Sequence, residues 1–191
     1  MLHRGCYIDS ESNRLGAFAP RYGAGWLFDR LLGQYEINNQ TVMIRRAVVE
    51  ALAIPRFNPE ITIGEDCDLF MRVARNSRAI GIPDLLVYYR VHGDSISATR
   101  LSQAHEGLQE VVRWVKEDPE LLLRCQQSLR KAEAKIRFYK AKAAMVVGDS
   151  AAARALMWPA VSVDWRYAVL TLATLSPRAW HWCLSFGRRS V

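Results

Sequence analysis

Turn-forming residues are distributed unevenly along this chain of 191 residues, and the contrast limits the folds it can adopt. Residues 1–99 are rich in Gly, Pro, Asn and aromatic residues, with short strand-like runs between the turn signals. Residues 100–191 are almost free of such signals and favour a series of helices. The sequence therefore predicts an α/β part over residues 1–99, followed by an α-helical region over residues 100–191.

The first part alternates short strands and helices. The apolar runs and their spacing predict strands at residues 5–9, 41–45 and 85–92, and helices at residues 26–32, 47–53 and 65–76. Pro55 ends the second of these helices, and Gly93-Asp94 ends the last strand. This mixture is typical of α/β domains.

The second part is predicted to consist of consecutive helices. They lie at residues 102–116, 120–147, 150–159 and 165–175, with one more after Pro177. Gly148-Asp149 is typical of a helix–helix turn, and the many alanines around it would let two helices approach closely. This hairpin resembles one tetratricopeptide-like unit, although a single unit does not establish a repeat.

Charge and cysteine content restrict the partners and the compartment only in part. A net charge of +7 favours anionic partners such as phosphorylated ligands, anionic lipid head groups or nucleic acid, without choosing between them. The four cysteines form no CxxC pair, so neither a zinc site nor a disulfide framework is predicted. With no signal-like segment and no run of 18 apolar residues, we expect a non-spanning, cytoplasmic protein.

Asp66 is the candidate catalytic base. In the helix predicted to begin at Glu65, the side chains of Glu65, Asp68 and Arg72 share the polar side, whereas Asp66 falls inside the apolar arc. A carboxylate directed inward is unfavourable unless a partner, a cleft or the helix dipole compensates for its lost hydration. Capping-box spacing between Thr62 and Glu65 explains Glu65 but not the orientation of Asp66. A base that faces a cleft is thus the sharper hypothesis, and an ordinary first-turn acid is the alternative.

His92 and Arg90 lie at the end of the predicted strand 85–92, beside a glycine turn. Ligands of open α/β sheets gather at the carboxyl ends of strands. His92 is therefore a candidate metal or phosphate ligand, and Arg90 is a candidate phosphate partner. The alternative for His92 is an ordinary surface histidine.

Three segments, taken in order, resemble the C-terminal half of family 2 glycosyltransferases with the GT-A fold. They are Val42-Met43-Ile44-Arg45-Arg46, Glu65-Asp66-Cys67-Asp68-Leu69, and Tyr89-Arg90-Val91-His92 with the following Ser95-Ile96-Ser97. The resemblance covers residues 5–97. It implies a partial GT-A, Rossmann-like half domain in an enzyme that transfers a sugar from a nucleotide-sugar donor to a glycan or lipid-linked hydroxyl acceptor, in cell-surface polysaccharide or glycan synthesis.

The resemblance also implies roles for individual residues. Asp66 would deprotonate the acceptor hydroxyl, and His92 would help to hold a divalent metal, Mn or Mg. Glu65, Arg90 and Asn39 would contact substrate, with Asn39 and its neighbour Asn38 on a loop that meets the donor or acceptor.

The nucleotide-binding half of such enzymes, with its Asp-x-Asp metal motif, is expected to be missing from this chain. Asp66-Cys67-Asp68 has the same letters, but it lies in a predicted helix, with its two carboxylates about 160° apart. It is therefore no substitute for the motif.

Two other classes of function remain open, and a third is disfavoured. The chain could be a truncated, non-catalytic relative that serves as a binding or scaffold module. It could also be a peripheral membrane protein at the inner face of the membrane, docked through Trp158, Trp165, Trp180, Trp182 and the terminal Arg188 and Arg189. The basic residues of segment 124–142, Lys135 among them, come without a nucleic-acid recognition motif, so a solvated helix face and no nucleic-acid partner are expected.

Overall fold

A mixed four-stranded sheet forms the N-terminal part of the chain, as seen in a computed structural model that describes residues 1–18, 23–92, 103 and 105–186. The strands are β1 (Leu2–Ile8), β2 (Arg14–Phe18), β3 (Ala24–Gly25) and β4 (Ala79–Arg90). Their order is β2-β1-β4-β3, with β1 and β4 parallel and both outer strands antiparallel to their neighbours. The predicted α/β character of this part is confirmed.

Aromatic packing on one face explains why β1 and β2 pair. A Cβ atom at Gly5 would lie 2.2 Å from the ring of Phe18, so only glycine lets that ring lie over β1. The Phe18 ring is 4.6 Å from the Tyr7 ring, which in turn meets Tyr89 of β4 at 5.7 Å. Stacked aromatic pairs of this kind stabilise neighbouring strands.

The strand predicted at residues 41–45 is wrong. This segment instead forms a 3₁₀ turn (Asn39–Thr41), followed by a single bridge between Val42 and Leu2. The turn is closed because the Asn38 side chain accepts a hydrogen bond from the Gln40 amide. In addition, β2 pairs with β1 only over Gly5–Ile8, which leaves the first residues of β1 for this one bridge.

Strand β4 begins earlier than the predicted 85–92 and ends two residues sooner. Pro83 lies inside it, where a proline usually argues against a strand because it cannot donate to the ladder. The register against β1 shifts between the pairs Leu2–Gly81 and Arg4–Leu85, which lie on either side of Pro83. The irregularity accommodates the proline, as β-bulges do.

Three helices follow the expected positions in the first part. They are α1 (Phe28–Gly33), α2 (Arg46–Glu50) and α3 (Glu65–Asn76), and the last coincides with the predicted helix.

From residue 105 to residue 186, the structure is mostly helical, as predicted. Its elements are α4 (Glu106–Glu117), α5 (Pro119–Arg124), α6 (Gln126–Val146), α7 (Ser150–Met157), a 3₁₀ turn (Trp158–Ser162), α8 (Arg166–Ala173) and α9 (Pro177–Phe186). The single helix predicted at 120–147 is two helices that meet at Cys125. The Gly148-Asp149 turn is confirmed, since Gly148 has a φ of 83° and the Asp149 side chain caps α7. Within the described residues, none of the helices combines the length and apolar character needed to cross a membrane.

The main apolar core draws on both predicted parts. Met71 of α3 packs in the same cluster as Val111 and Val115 of α4 and Ala132 of α6, all 0% exposed. The boundary predicted near residue 99 therefore lies between segments that share one core. A smaller cluster of Ala141, Ala153 and Met157 joins α6 to α7.

Trp180 belongs to the interior, which corrects its predicted place among the membrane-facing tryptophans. It is 3% exposed, and its ring centroid lies 6.3 Å from that of Phe138 of α6. The reason is that α9 folds back on α8, so Trp180 points towards α6.

Gly107→Ala is expected to lower the free energy of unfolding by at least about 2 kcal/mol, despite the better helix propensity of alanine. A Cβ atom at Gly107 would lie 1.9 Å from the carbonyl oxygen of Gly64, so α4 would have to move away from the start of α3. Urea denaturation followed by circular dichroism measures the change. Gly23→Ala is the control, because its Cβ would meet nothing within 4 Å. Equal stability of the two variants would contradict the close contact.

Candidate functional site

The loop before α3 is held by the start of α4. Gly64, with a φ of 90°, is the N-cap of α3 and has no side-chain cap, so Thr62 does not form the capping box that its spacing suggested. Instead, the Glu106 carboxylate accepts hydrogen bonds from the amides of Thr62 at 3.0 Å and Ile63 at 3.3 Å. This contact fixes where α3 begins, and hence where its first-turn carboxylates lie.

Asp68 is buried, which corrects its predicted place on the polar side of the helix. It is 3% exposed, because Trp114 of α4 covers this side of α3. Its carboxylate accepts hydrogen bonds from Arg72 Nε at 2.9 Å and from Trp114 Nε1 at 3.2 Å. Arg72 also donates to the carbonyl of Arg56. Asp68 therefore has a structural role, since its hydrogen bonds connect α3 to α4 and, through Arg72, to the preceding loop.

Asp66 is half-buried, and no cation among the described residues forms an ion pair with it. Desolvation raises the pKa of its carboxyl group, the amide of Cys67 opposes this with a hydrogen bond of 2.8 Å to Oδ1, and the charge of Glu65 raises the pKa further. Glu65 itself is exposed. Asp66 thus differs from the other two acids of this turn. Glu65 is exposed and Asp68 is paired with Arg72, whereas Asp66 is partly buried and forms no ion pair with a described residue.

Lys135 lies beneath this turn, although the sequence placed it on a solvated basic face. Its ammonium group donates to the carbonyl of Tyr35 at 2.9 Å, and burial lowers its pKa. Burial also raises the pKa values of the Cys67 thiol and the Tyr139 phenol beside it. The signal was present in the helical spacing, since Lys135 falls within about 60° of the buried Ala132.

The residues predicted at the end of β4 lie in a different setting. The Arg90 guanidinium donates to the carbonyls of Asp9 at 2.6 Å and Ser10 at 3.0 Å, and to Ser12 Oγ at 3.1 Å, so it holds the β1–β2 turn. His92 and Asn39 are exposed. Helix α3 packs on α1 and α4, whereas β4 packs on β1, and no hydrogen bond or ion pair of the described residues joins Asp66 to Arg90, Asn39 or His92. Their grouping into one site stays a prediction.

The structure leaves the predicted divalent-metal site untested. His92 is exposed, and in the part of the chain that the structure describes no group of three or more His, Cys, Asp or Glu side chains could hold a metal ion. Hard cations such as Mg²⁺ or Mn²⁺ need several oxygen ligands. The metal therefore remains a prediction from the resemblance.

A separate apolar cavity of about 800 Å³ opens between α1, α3 and the start of β4. Its lining is dominated by apolar side chains, among them Trp26, Met43, Ile44, Phe70, Val73 and Ile80. Arg45 and Arg78 also line it, whereas Asp66 does not. Trp26, Met43 and Ile80 are more than half exposed, so the cavity presents apolar surface to its surroundings.

Comparisons with known proteins supply no relative on which a function could be based. No family model, no curated protein and no solved structure matches this chain. A proposal of function therefore rests on the residues of the chain itself.

Proposed function

We propose that this chain is the acceptor-side part of a glycosyltransferase, which transfers a sugar from a nucleotide-sugar donor to a hydroxyl acceptor. The observation that carries the proposal is the state of Asp66, a half-buried carboxylate at the start of α3 with a raised pKa and no ion-pair partner among the described residues. Catalytic bases are typically titratable groups whose pKa is shifted by burial and which form no structural ion pair. The order of the three resembling segments supports the same conclusion.

In the proposed reaction, Asp66 accepts the proton of the acceptor hydroxyl while the acceptor oxygen bonds to the anomeric carbon. The bond from that carbon to the donor phosphate oxygen breaks, and the nucleotide diphosphate leaves with the electron pair. A carboxylate with a raised pKa accepts a proton more readily than an ordinary one. Glu65, exposed beside it, is proposed to hold the acceptor by a hydrogen bond and so to fix its orientation.

Asn39 and Arg90 are proposed as further substrate contacts on the strength of the resemblance. Asn39 is exposed and its side chain is accessible, whereas Arg90 already donates three hydrogen bonds to the β1–β2 turn. Arg90 would therefore act mainly by keeping this turn in place. The four free cysteines suit a reducing compartment, so we propose that the reaction takes place in the cytoplasm.

The proposal requires a nucleotide-binding part to hold the donor. The apolar cavity supports this requirement, since a surface that exposes Trp26, Met43 and Ile80 is of the kind that another folded part covers. We propose that the sheet and helices up to residue 92 belong to a GT-A domain completed in this way. The α6–α7 hairpin, packed through Ala141 and Ala153, is proposed to be tetratricopeptide-like.

A transfer assay tests the proposed function. The chain is combined with the nucleotide-binding half of a family 2 glycosyltransferase and supplied with radiolabelled UDP-, GDP- and dTDP-sugars and a set of glycan and lipid-linked acceptors. Transfer that requires both parts is the expected result. Binding of an acceptor with no transfer from any donor would instead favour a non-catalytic binding module.

The chain by itself is expected to show no transfer and no micromolar affinity for nucleotide sugars, because the proposed donor-binding part is a separate folded unit. Isothermal titration calorimetry with the same donors and Mn²⁺ measures this. Micromolar binding by the chain alone would show that it carries a donor site of its own, against the proposed division of roles.

A further inference from the structure

Helix α8 carries a stripe of apolar side chains on its outer face. Trp165, Val169 and Leu172 are 73%, 46% and 68% exposed. At about 100° per residue, these three positions fall within an arc of about 60°. They therefore form one continuous strip along the helix.

The inner face of α8 is also apolar. Tyr167 and Leu170 pack against the cluster that contains Ala153 and Met157, and Thr171 is buried. A surface helix of a globular protein normally has polar side chains opposite its buried face. Because α8 is apolar on both sides, its outer face is suited to a second apolar environment.

Apolar exposure continues in the segments that flank α8. Trp158, in the 3₁₀ turn before the helix, and Leu175, just after it, are both largely exposed. Single exposed apolar residues are common, but several in neighbouring segments mark a contact surface. We call Trp158, Trp165, Val169, Leu172 and Leu175 the α8 patch.

The charge of the segment that carries the α8 patch indicates what covers it. Residues 150–186 contain Arg154, Arg166 and Arg178 but only one acidic residue, Asp164. Asp164 is paired with Arg166, with 2.6 Å between Asp164 Oδ2 and Arg166 NH2. A second copy of the chain would bring the same cations face to face, whereas anionic lipid head groups would neutralise them. Tryptophans, in turn, are favoured at the depth of the head groups.

We propose that the α8 patch docks on the surface of an anionic lipid bilayer, with Trp165 and Leu172 inserted between the head groups and with Arg154 and Arg178 attracted to lipid phosphates. The contact is peripheral, as for amphipathic segments that lie in the interface plane. It does not depend on the proposed transferase activity, because it uses none of the residues around Asp66.

Vesicle co-sedimentation of the whole chain tests the proposal. Vesicles of phosphatidylcholine mixed with phosphatidylglycerol are expected to bind the chain, whereas vesicles of phosphatidylcholine alone bind it much less. Added salt should weaken the binding, since exposed charges are screened. The double variant Trp165→Gln/Leu172→Gln is expected to reduce the partition coefficient at least about tenfold, because two large apolar side chains no longer insert.

The matched control is Trp26→Gln, which removes a comparably exposed tryptophan at the apolar cavity. It should bind vesicles like the unmodified chain, and thermal melts should show that all the variants are folded. The proposal is overturned if the double variant binds as well as the unmodified chain or if anionic lipid makes no difference. It is also overturned if analytical ultracentrifugation shows a dimer that the double variant abolishes, because the patch would then be a contact between two copies.

Discussion

Asp66→Asn is expected to lower turnover by at least about 10²-fold in the proposed transferase, assembled with the nucleotide-binding part that the proposal requires, with little change in thermal stability. Asparagine keeps the shape of the side chain but cannot accept the proton of the acceptor hydroxyl. Steady-state rates on one acceptor, together with melting temperatures, measure both effects. If the proposal holds, the unmodified protein should also lose activity as the pH falls through the raised pKa of Asp66, because the proposed base becomes protonated.

The stability expected for Asp66→Asn follows from the direction of the pKa shift. A carboxyl group whose pKa is raised by folding binds its proton more tightly in the folded state. Its contribution to the free energy of unfolding therefore falls as the pH rises from the ordinary pKa through the raised one. At neutral pH the buried charge is a small penalty, which asparagine removes, while loss of the helix-dipole interaction works against this by about 0.3–1 kcal/mol. The two effects nearly cancel.

Glu65→Gln is the matched control for Asp66→Asn, since it removes the neighbouring charge from an exposed position in the same turn. It should reduce turnover far less. A protein in which Asp66→Asn keeps near-normal turnover but melts several degrees lower would have a structural aspartate at this position, and the assignment of the acceptor side would fail.

Helix α3 shows what local sequence can and cannot predict. Its limits follow from spacing alone, because apolar residues recur with helical period from Glu65 to Asn76. The burial of Asp68 does not, because it depends on Trp114, which is 46 residues away. On a helical wheel Asp68 lies with Glu65 and Arg72, and only the packing of α4 reveals that this side of α3 is covered.

The same division applies to the sheet and to Lys135. The start of β4 does not follow from local sequence, because Pro83 argues against a strand and the segment is paired with β1 and β3, both far away in the sequence. The charge of Lys135 suggests a side chain exposed to solvent, whereas its position on the same side of the helix as Ala132 indicates a buried one. When charge and helical position disagree in this way, long-range packing determines whether the side chain is buried. A single sequence does not show that packing.

Asp68→Ala is expected to lower the free energy of unfolding by about 3 kcal/mol, since it leaves Arg72 and the Trp114 indole without their shared acceptor. For a chain of this size, that corresponds to a fall of roughly 6–12 °C in melting temperature. Glu50→Ala is the control, because its partner Arg46 is exposed and such surface pairs contribute little. Thermal and urea denaturation of both variants measure the difference.

The Asp68 experiment also separates a structural carboxylate from a metal ligand. If Asp66-Cys67-Asp68 acted as an Asp-x-Asp motif, Asp68→Ala would abolish activity and leave the melting temperature unchanged. Because Asp68 Oδ2 lies 2.8 Å from Arg72 NH2 in a partly buried pair, we expect Asp68→Ala to lower the melting temperature instead. Adding Arg72→Met should recover part of the loss, because it removes the stranded charge, and the double-mutant cycle should give a coupling energy of at least about 1 kcal/mol. Additive effects of the two substitutions would show that Asp68 and Arg72 are not energetically coupled.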